Sequence, residues 1–481
     1  MRSIILNNKI AIAIILTLST TAANSQTADT TNVALDDVVV TGTRYASDIR
    51  HLPMTISIIS RTELIENQQT NILPTLTEQV PGLFVTSRGM MGYGVSTGAA
   101  GGISLRGLAG SSGQLLVLID GHPQYSGIYG HPIGDSYQTM MAERVEVLRG
   151  PASVLYGSNA MGGVINIVTR HNSEDGVQTH VNMGAGSYGT FKTEADNLMR
   201  SGKFSSTAAV QYSRTDNHRP RMGFEQYGGY MKLGYDIATN WNAYTDINLT
   251  HFNASYPGST STPMYEADQW ITRGMMSAAI ENHYKSASGA LSVYCNFGRH
   301  KINDGYAEGK EPQTRLFRSK DALTGISIYQ SVNLFSSNRI TGGVDWQNIY
   351  GNAYYTDRQT GEVLETQNKQ SARKQMNEVA AYIDVRQELT TWFTIDAGIR
   401  YDNHSVSGSE WIPQAGVVVR PFADGQLTAT AGATTATLAL AELDAMYFSQ
   451  EDVNGIDSQQ QPASTLRVNG RTLLVSAPAG S

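Results

Sequence analysis

The chain has 481 residues, a formal charge of −7 and a pI near 5.8, and only 16% of its residues are charged. An acidic chain with so few charges excludes nucleic acid as a partner, and a lone cysteine, Cys295, excludes an internal disulfide, a zinc ribbon or a thiol redox pair. Its 47 glycines and 24 tyrosines come without any apolar run of spanning length beyond the N-terminus, so helical membrane spans are excluded as well.

In chain order, Arg2 and Lys9 flank the start of an apolar stretch from Ile10 to Leu18, and small residues lead to Ala23-Asn24-Ser25. Residues 1–25 read as a secretory signal, since the apolar stretch is too short to cross about 30 Å of hydrocarbon. Residues 26–52 read as a flexible lead. Within it, Asp36, Asp37, Val38, Val39, Val40 and Thr41 form a β-branched run behind two acids. A mobile segment of this kind can add itself as an edge strand to another protein's sheet; an ordinary first strand fits the composition equally well.

Residues 53–170 read as a compact α+β domain. Met54 to Ile59, Ile103 to Arg106, Leu115 to Ile119, Arg144 to Leu148 and Val164 to Thr169 have strand character, and Arg61 to Asn67 and Leu73 to Gln79 have helical character. From residue 171 to 433 the texture changes to segments of about ten alternating residues separated by turns. Phe393, Ile395, Ala397, Ile399 and Tyr401 share one face, while Thr394, Asp396, Arg400 and Asp402 share the other. A polar face repeated in strand after strand suits a wet lumen, and about thirteen strands of transmembrane length are expected. The stretches Asn253 to Asp268 and Asn303 to Ser319 are expected as long external loops. Gly184 to Gly189 matches G-x-G-x-x-G, but no βαβ unit surrounds it, so it reads as a glycine-rich turn and gives nucleotide chemistry no support. From Thr434 the alternation fails. Thr435 to Leu443 reads as weakly helical, and residues 434–481 read as an irregular tail.

The run from Glu143 to Thr169, E-R-V-E-V-L-R-G-P-A-S-V-L-Y-G-S-N-A-M-G-G-V-I-N-I-V-T, resembles the end of the plug domain of TonB-dependent receptors. Val80 to Leu83, Ile103 to Gly107, Val117 to Gly121 and the Val38 to Thr41 run support the resemblance in family order. It implies an α+β plug domain followed by an antiparallel transmembrane β-barrel, incomplete at about thirteen strands where such transporters close with 22. A truncated or frame-shifted product is therefore expected, its sheet an open trough from a first strand near Val177 to Met183 to a last near Leu427 to Ala431.

The resemblance also implies a function: import of an iron chelate, haem or cobalamin-like compound through the outer membrane of a Gram-negative bacterium, without enzymatic chemistry or cofactor. The partners implied are TonB, contacted through Asp36 to Thr41, outer-membrane lipid, and the small chelate or macrocycle, with the receptor acting as a monomer. The alternative is a non-functional receptor fragment or a passive pore. Arg106, Glu143, Arg144, Glu146, Arg149, Gly150, Gly157, Gly162 and Gly163 form the core motif of the plug, with Arg106 and Arg149 expected to pair with these glutamates or with barrel acids. His122, Tyr125, Tyr129 and His131 lie on a Gly/Pro-rich loop expected to reach outward, where they could stack on a flat chelate or ligate a metal. Packing tyrosines and solvated histidines are the competing expectation, and no metal-ligand set is assigned.

Overall fold

A computed structural model describes residues 38–39, 44, 47–48, 52–87, 89, 91–94, 102–109, 115–125, 132–157, 159–335, 337–364, 372–422, 425–432, 464–468 and 471–475. The signal-like residues 1–25, Asp36, Asp37, Val40, Thr41 and the segment from Thr435 to Leu443 lie outside this set. By contact density Met1–Asp37 separates from Val38–Ser481, and all described residues belong to the second unit.

In the lead, β1 (Val38–Val39) pairs antiparallel with β2 (Ser47–Asp48). Two of the six residues expected to form a free coupling strand are thus already paired within the chain. In the plug, β3 (Thr55–Ser60) runs into α1 (Arg61–Glu66) through a reciprocal cap. Glu63 N donates to Ser60 Oγ at 3.4 Å and Ser60 N donates to the Glu63 carboxylate at 2.7 Å. Helix α2 (Leu73–Gln79) has Pro74 in its first turn, where the missing N–H costs nothing, and buries Leu73 and Leu76. β4 (Leu83–Val85), β5 (Ile103–Leu105) and β6 (Leu108–Ala109) make a small sheet.

β7 (Leu115–Ile119), β8 (His122–Pro123), β9 (Ala142–Arg149), the short helix α3 (Ser153–Tyr156) and β10 (Gly163–Thr169) complete the plug. Its main sheet has the order β3-β9-β10-β7-β8, with β10 and β7 parallel and the other pairs antiparallel. β7 is buried at every position, which is why it reads as an unbroken apolar run. Gly163 opens β10 at φ +153°, and a Cβ there would stand 2.3 Å from the Leu148 carbonyl oxygen. Only glycine lets β10 lie this close to β9.

The wall is one antiparallel meander: β11 (Gly176–Gly186), β12 (Thr190–Ser201), β13 (Phe204–Thr215), β14 (Phe224–Ala238), β15 (Trp241–Ser255), β16 (Met264–His283), β17 (Ala287–Ala307), β18 (Arg315–Val332), β19 (Asn338–Asp357), β20 (Val363–Leu364), β21 (Ala372–Thr390), β22 (Phe393–His404), β23 (Gly408–Phe422) and β24 (Gly425–Gly432). Each strand pairs with the next, except that β20 joins only β19 and β21 continues the sheet from there. The G-x-G-x-x-G segment is the end of β11 and its turn into β12, with Tyr188 at φ 60° and Gly189 at φ 62° and Gly186 paired to Thr190. Among the described residues no strand pairs with the outer edge of β11 or of β24, so the sheet is not closed.

Two sequence expectations are corrected here. The presumed long loops shrink to residues 256–263 and 308–314, because β16, β17 and β18 run well past membrane height. The tyrosines and phenylalanines that looked like loop composition make cross-strand pairs, Tyr265 stacked on Tyr306 at 5.6 Å and Phe317 edge-on to Tyr355 at 5.7 Å. The tail is also not wholly irregular, since β25 (Ser464–Val468) and β26 (Arg471–Val475) form a hairpin.

Plug and wall share one interior. Ala209, Tyr230 and Met275 of the wall join the plug's principal apolar cluster, and Ile133 of the plug packs with Phe224, Phe252 and Ile271. One end of the wall has short turns, such as residues 202–203, 239–240 and 284–286; the other has the longer connections 216–223, 256–263 and 308–314.

Candidate functional site between plug and wall

Three residues beyond the β-branched run, Arg44 is held inside the lumen. Its Nη1 donates to Ser327 Oγ at 2.9 Å, its Nη2 donates to the Leu155 carbonyl of α3, and Nη2 stands 3.6 Å from Asp345 Oδ2. The guanidinium is ringed by Tyr156 of the plug and by Tyr329 and Tyr382 of the wall, at 5.0, 5.5 and 5.2 Å from their centroids. Asp345 continues the network outward, accepting from Ser327 Oγ at 2.6 Å and from Arg400 Nη1 at 2.8 Å. Arg400 in turn bonds Asp402 at 2.6 Å and approaches Glu378 at 3.6 Å. Five charged side chains, two arginines and three acids, are therefore gathered in a largely buried space, where losing one partner is far costlier than on a surface.

The motif glycines explain how α3 comes so close. Gly157 has φ +73° and a Cβ there would meet Arg400 Nη2 at 2.8 Å, and a Cβ at Gly398 of the wall would meet Val154 at 2.8 Å. α3 is pressed against β21, β22 and β23 through these gaps. Gly150 also holds a positive φ, at the turn after β9.

A second tie joins the β7–β8 turn to β14. Asp120 accepts from Thr169 N at 2.8 Å and from Thr169 Oγ1 at 2.5 Å, and Lys232 of the wall donates to it at 2.9 Å. Burial opposes ionisation of Asp120, but Lys232 and the Thr169 bonds outweigh it and hold the carboxyl below its ordinary range. A third joins α1 and the end of the plug to β12: Arg61 stands 3.6 Å from Glu194, and Arg170 2.9 Å from Asp196. Burial, then the neighbouring Arg170, lowers the Arg61 pKa. Between these ties a cavity of about 1210 Å³ opens at the short-turn end, lined by Arg44, Asp120, His122, Tyr156, Lys232 and Glu281 among others.

The motif charges do not pair as expected. Arg144 bridges Glu146 at 2.8 Å, and Glu146 is fully buried. Arg106 and Arg149 instead reach backbone carbonyls, Arg106 that of Arg149 at 3.5 Å and Arg149 that of Pro81 at 3.4 Å. Both sit at the exposed end of β9, away from Glu146, and Arg106 takes φ 52° in a turn that points its side chain there. Glu143 is half-buried beside Arg61, whose charge it supports. Gly162 precedes β10 and is buried.

Of the loop residues expected to face outward, His122 and Tyr125 are buried against the wall. The His122 ring lies 4.8 Å from that of Tyr294, and burial pushes its imidazole down to about 4. The Tyr125 carbonyl accepts from Arg273 at 3.4 Å and Asn296 at 3.3 Å, while burial raises its phenol well above the usual value. Tyr129 and His131 lie outside the described residues. Sequence reasoning missed Arg44, Asp120 and Lys232 as ties; Asp120 stood in a quoted motif, but nothing in the sequence pointed to its wall partner.

Comparison with known proteins places this geometry. Residues 48–164 match the family model described as TonB-dependent receptor plug domain, and residues 168–468 match that described as TonB dependent receptor-like β-barrel. The chain is 28% identical over 361 residues to the vitamin B12 transporter BtuB of Vibrio vulnificus, covering 69% of this chain and 54% of that protein. It is 38% identical over 146 residues to an iron-regulated outer membrane virulence protein of Vibrio cholerae, covering 29% of this chain and 21% of that one. The ferripyoverdine receptor of the outer membrane of Pseudomonas aeruginosa superimposes with a TM-score of 0.66 at 16% identity, over 82% of this chain and 58% of that one. The chain thus spans about half the length of the curated full-length relative it matches.

Proposed function

The chain belongs to the TonB-dependent receptor family, and from that premise we propose that it serves as an outer-membrane receptor that imports a small metal chelate or cobalamin-type macrocycle into the periplasm. The energy is delivered by TonB pairing with Asp36, Asp37, Val38, Val39, Val40 and Thr41. The observation that carries this reading is Arg44: once β1 and β2 part, tension on the run just before it reaches a largely buried contact that touches both α3 and the wall. Withdrawing Arg44 would leave Asp345 short of one cation and uncover the cavity beside Tyr156. A β-strand pairing supplies the grip because a pull along the strand loads its backbone hydrogen bonds together instead of one at a time. β1 and β2 would have to part first, and a two-residue pairing is a weak obstacle.

The substrate class is supported by the vitamin B12 transporter among the relatives. Substrate contact is proposed for the loop bearing Tyr129 and His131, with His122 and Tyr125 fixing its base against Tyr294, Arg273 and Asn296. The test of the coupling is a site-directed crosslink. Thr41→Cys in the full chain, with Cys295→Ala to remove the native thiol, should crosslink to a cysteine-bearing periplasmic domain of TonB, more strongly with cyanocobalamin or a ferric siderophore present. No crosslink at Thr41 or Val40 under any of these conditions would overturn the assignment.

A further inference from the structure

The outward face of β17 and β18 carries a block of four cations with no acid among them. Register places Arg299 opposite Lys320 and Lys301 opposite Arg318, and all four alternate with buried lumen residues such as His300, Ile302, Ser319 and Asp321. Like charges directly opposite on one face are unfavourable. Among the described residues none of the four forms an ion pair. Arg318 Nε reaches only Thr356 Oγ1 at 3.4 Å, and Lys301 Nζ lies over the Trp270 ring at 4.2 Å. Other cations of the wall do find acids: Arg214 pairs with Asp216 at 3.2 Å and Arg358 with Glu266 at 2.6 Å. Asp268, the closest acid along β16, is engaged by Ser255 at 2.7 Å.

The position of the block is as telling as its charge. Towards the short-turn end the same outward rows hold Leu291, Val293, Ile326 and Ile328, all exposed, as a lipid-facing band requires. Arg299 lies about 27 Å along β17 from Leu291 at about 3.4 Å per residue, which at barrel tilt brings it to the upper edge of an apolar band about 25 Å tall. Trp270 stands beside Lys301 and Tyr354 beside Arg318, so aromatic rings bracket the block at the level of an interfacial girdle. Long cationic side chains at that height present their heads to the polar layer.

We propose that Arg299, Lys301, Arg318 and Lys320 form a binding site for the phosphorylated head group of an outer-leaflet lipid. Two arginines supply bidentate donors and two lysines point charges, a set matched to a pair of phosphates on one sugar backbone. Neutralising the block removes the cross-strand repulsion, so the lipid also stabilises the β17–β18 pairing. The proposal rests on the outer-membrane reading of the wall, though not on the substrate or on TonB.

The test uses the full chain in neutral maltoside micelles, with bound lipid counted by native mass spectrometry. Diphosphorylated lipid A should be retained at least tenfold better than its dephosphorylated form. The quadruple variant R299Q/K301Q/R318Q/K320Q should lose that preference, while R214Q/R358Q, which removes acid-paired cations, should keep it. If the quadruple variant fails to fold, R299Q/K320Q alone should reduce retention severalfold. Equal retention of both lipids by the native chain, an unchanged preference in the variants, or displacement by millimolar inorganic phosphate would overturn the proposal. A native chain that holds no lipid of either kind would overturn it too, whereas absence of the chain from isolated outer membranes would contradict the membrane reading on which it rests.

Discussion

Gly157 is held at φ +73° with Arg400 Nη2 2.8 Å from where a Cβ would stand. Arg400 cannot swing away cheaply, because Asp345, Asp402 and Glu378 fix it. Gly157→Ala is therefore expected to destabilise the plug by about 1–3 kcal/mol, by overpacking and by a backbone conformation that alanine resists, read as a lower urea midpoint for tryptic cleavage of the plug. An unchanged midpoint would mean that α3 is not pressed against the wall as described. At His122 the prediction concerns pH. The imidazole protonates near 4 in the folded chain and near 6.5 when unfolded, so protons favour the unfolded state. Its contribution, about 3 kcal/mol at most, is complete above pH 6.5 and is lost as pH falls towards 4. Stability measured from pH 7 to 4.5 should fall less steeply in His122→Phe than in the native chain; parallel curves would place His122 in water.

At the scale of elements, each strand from β12 to β23 except the short β20 has partners on both sides along the meander, whereas β11 and β24 are paired on one side only. Val177, Val181 and Met183 on β11 and Leu427 on β24 are each more than 60% exposed, consistent with uncovered edges. Amides of β11 and β24 should exchange with deuterium at least tenfold faster than those of β16 to β19 in lipid nanodiscs; uniform protection would mean that the edges are covered. The positions of these edge strands were legible in the sequence, because period-two alternation is a local property and each strand writes its own. The five plug strands expected, β3, β5, β7, β9 and β10, were legible to within a residue or two for the same reason, whereas β4, β6 and β8, of two or three residues each, are too short to show alternation. Loop lengths were misread because Tyr265, Tyr306, Phe317 and Tyr355 look alike in a loop or a tall strand, and only cross-strand pairing separates the two. The site was the least legible part. Arg44 meets Ser327 and Asp345 across nearly three hundred residues of chain, a contact that no local pattern encodes.

For the whole molecule, the proposed outer-membrane placement puts the longer connections outside the cell and the short turns in the periplasm. With Cys295→Ala as background, a cysteine at Ser259 or Lys310 in the longer connections should react with an impermeant maleimide on intact cells, and one at Asn240 or Lys285 in the short turns only after permeabilisation. Labelling of the short turns from outside would invert the barrel and detach Arg44 from a periplasmic pull. The central claim is that force applied at Asp36 to Thr41 moves substrate past the plug. The measurement that addresses it is the rate at which labelled cyanocobalamin and a labelled ferric siderophore enter the periplasm of cells expressing the chain with or without residues 36–41, in the presence and absence of TonB. The account predicts uptake of one of them only with both TonB and the run present, and unchanged surface binding after the deletion. Uptake that continues at the native rate without the run, or without TonB, would contradict it.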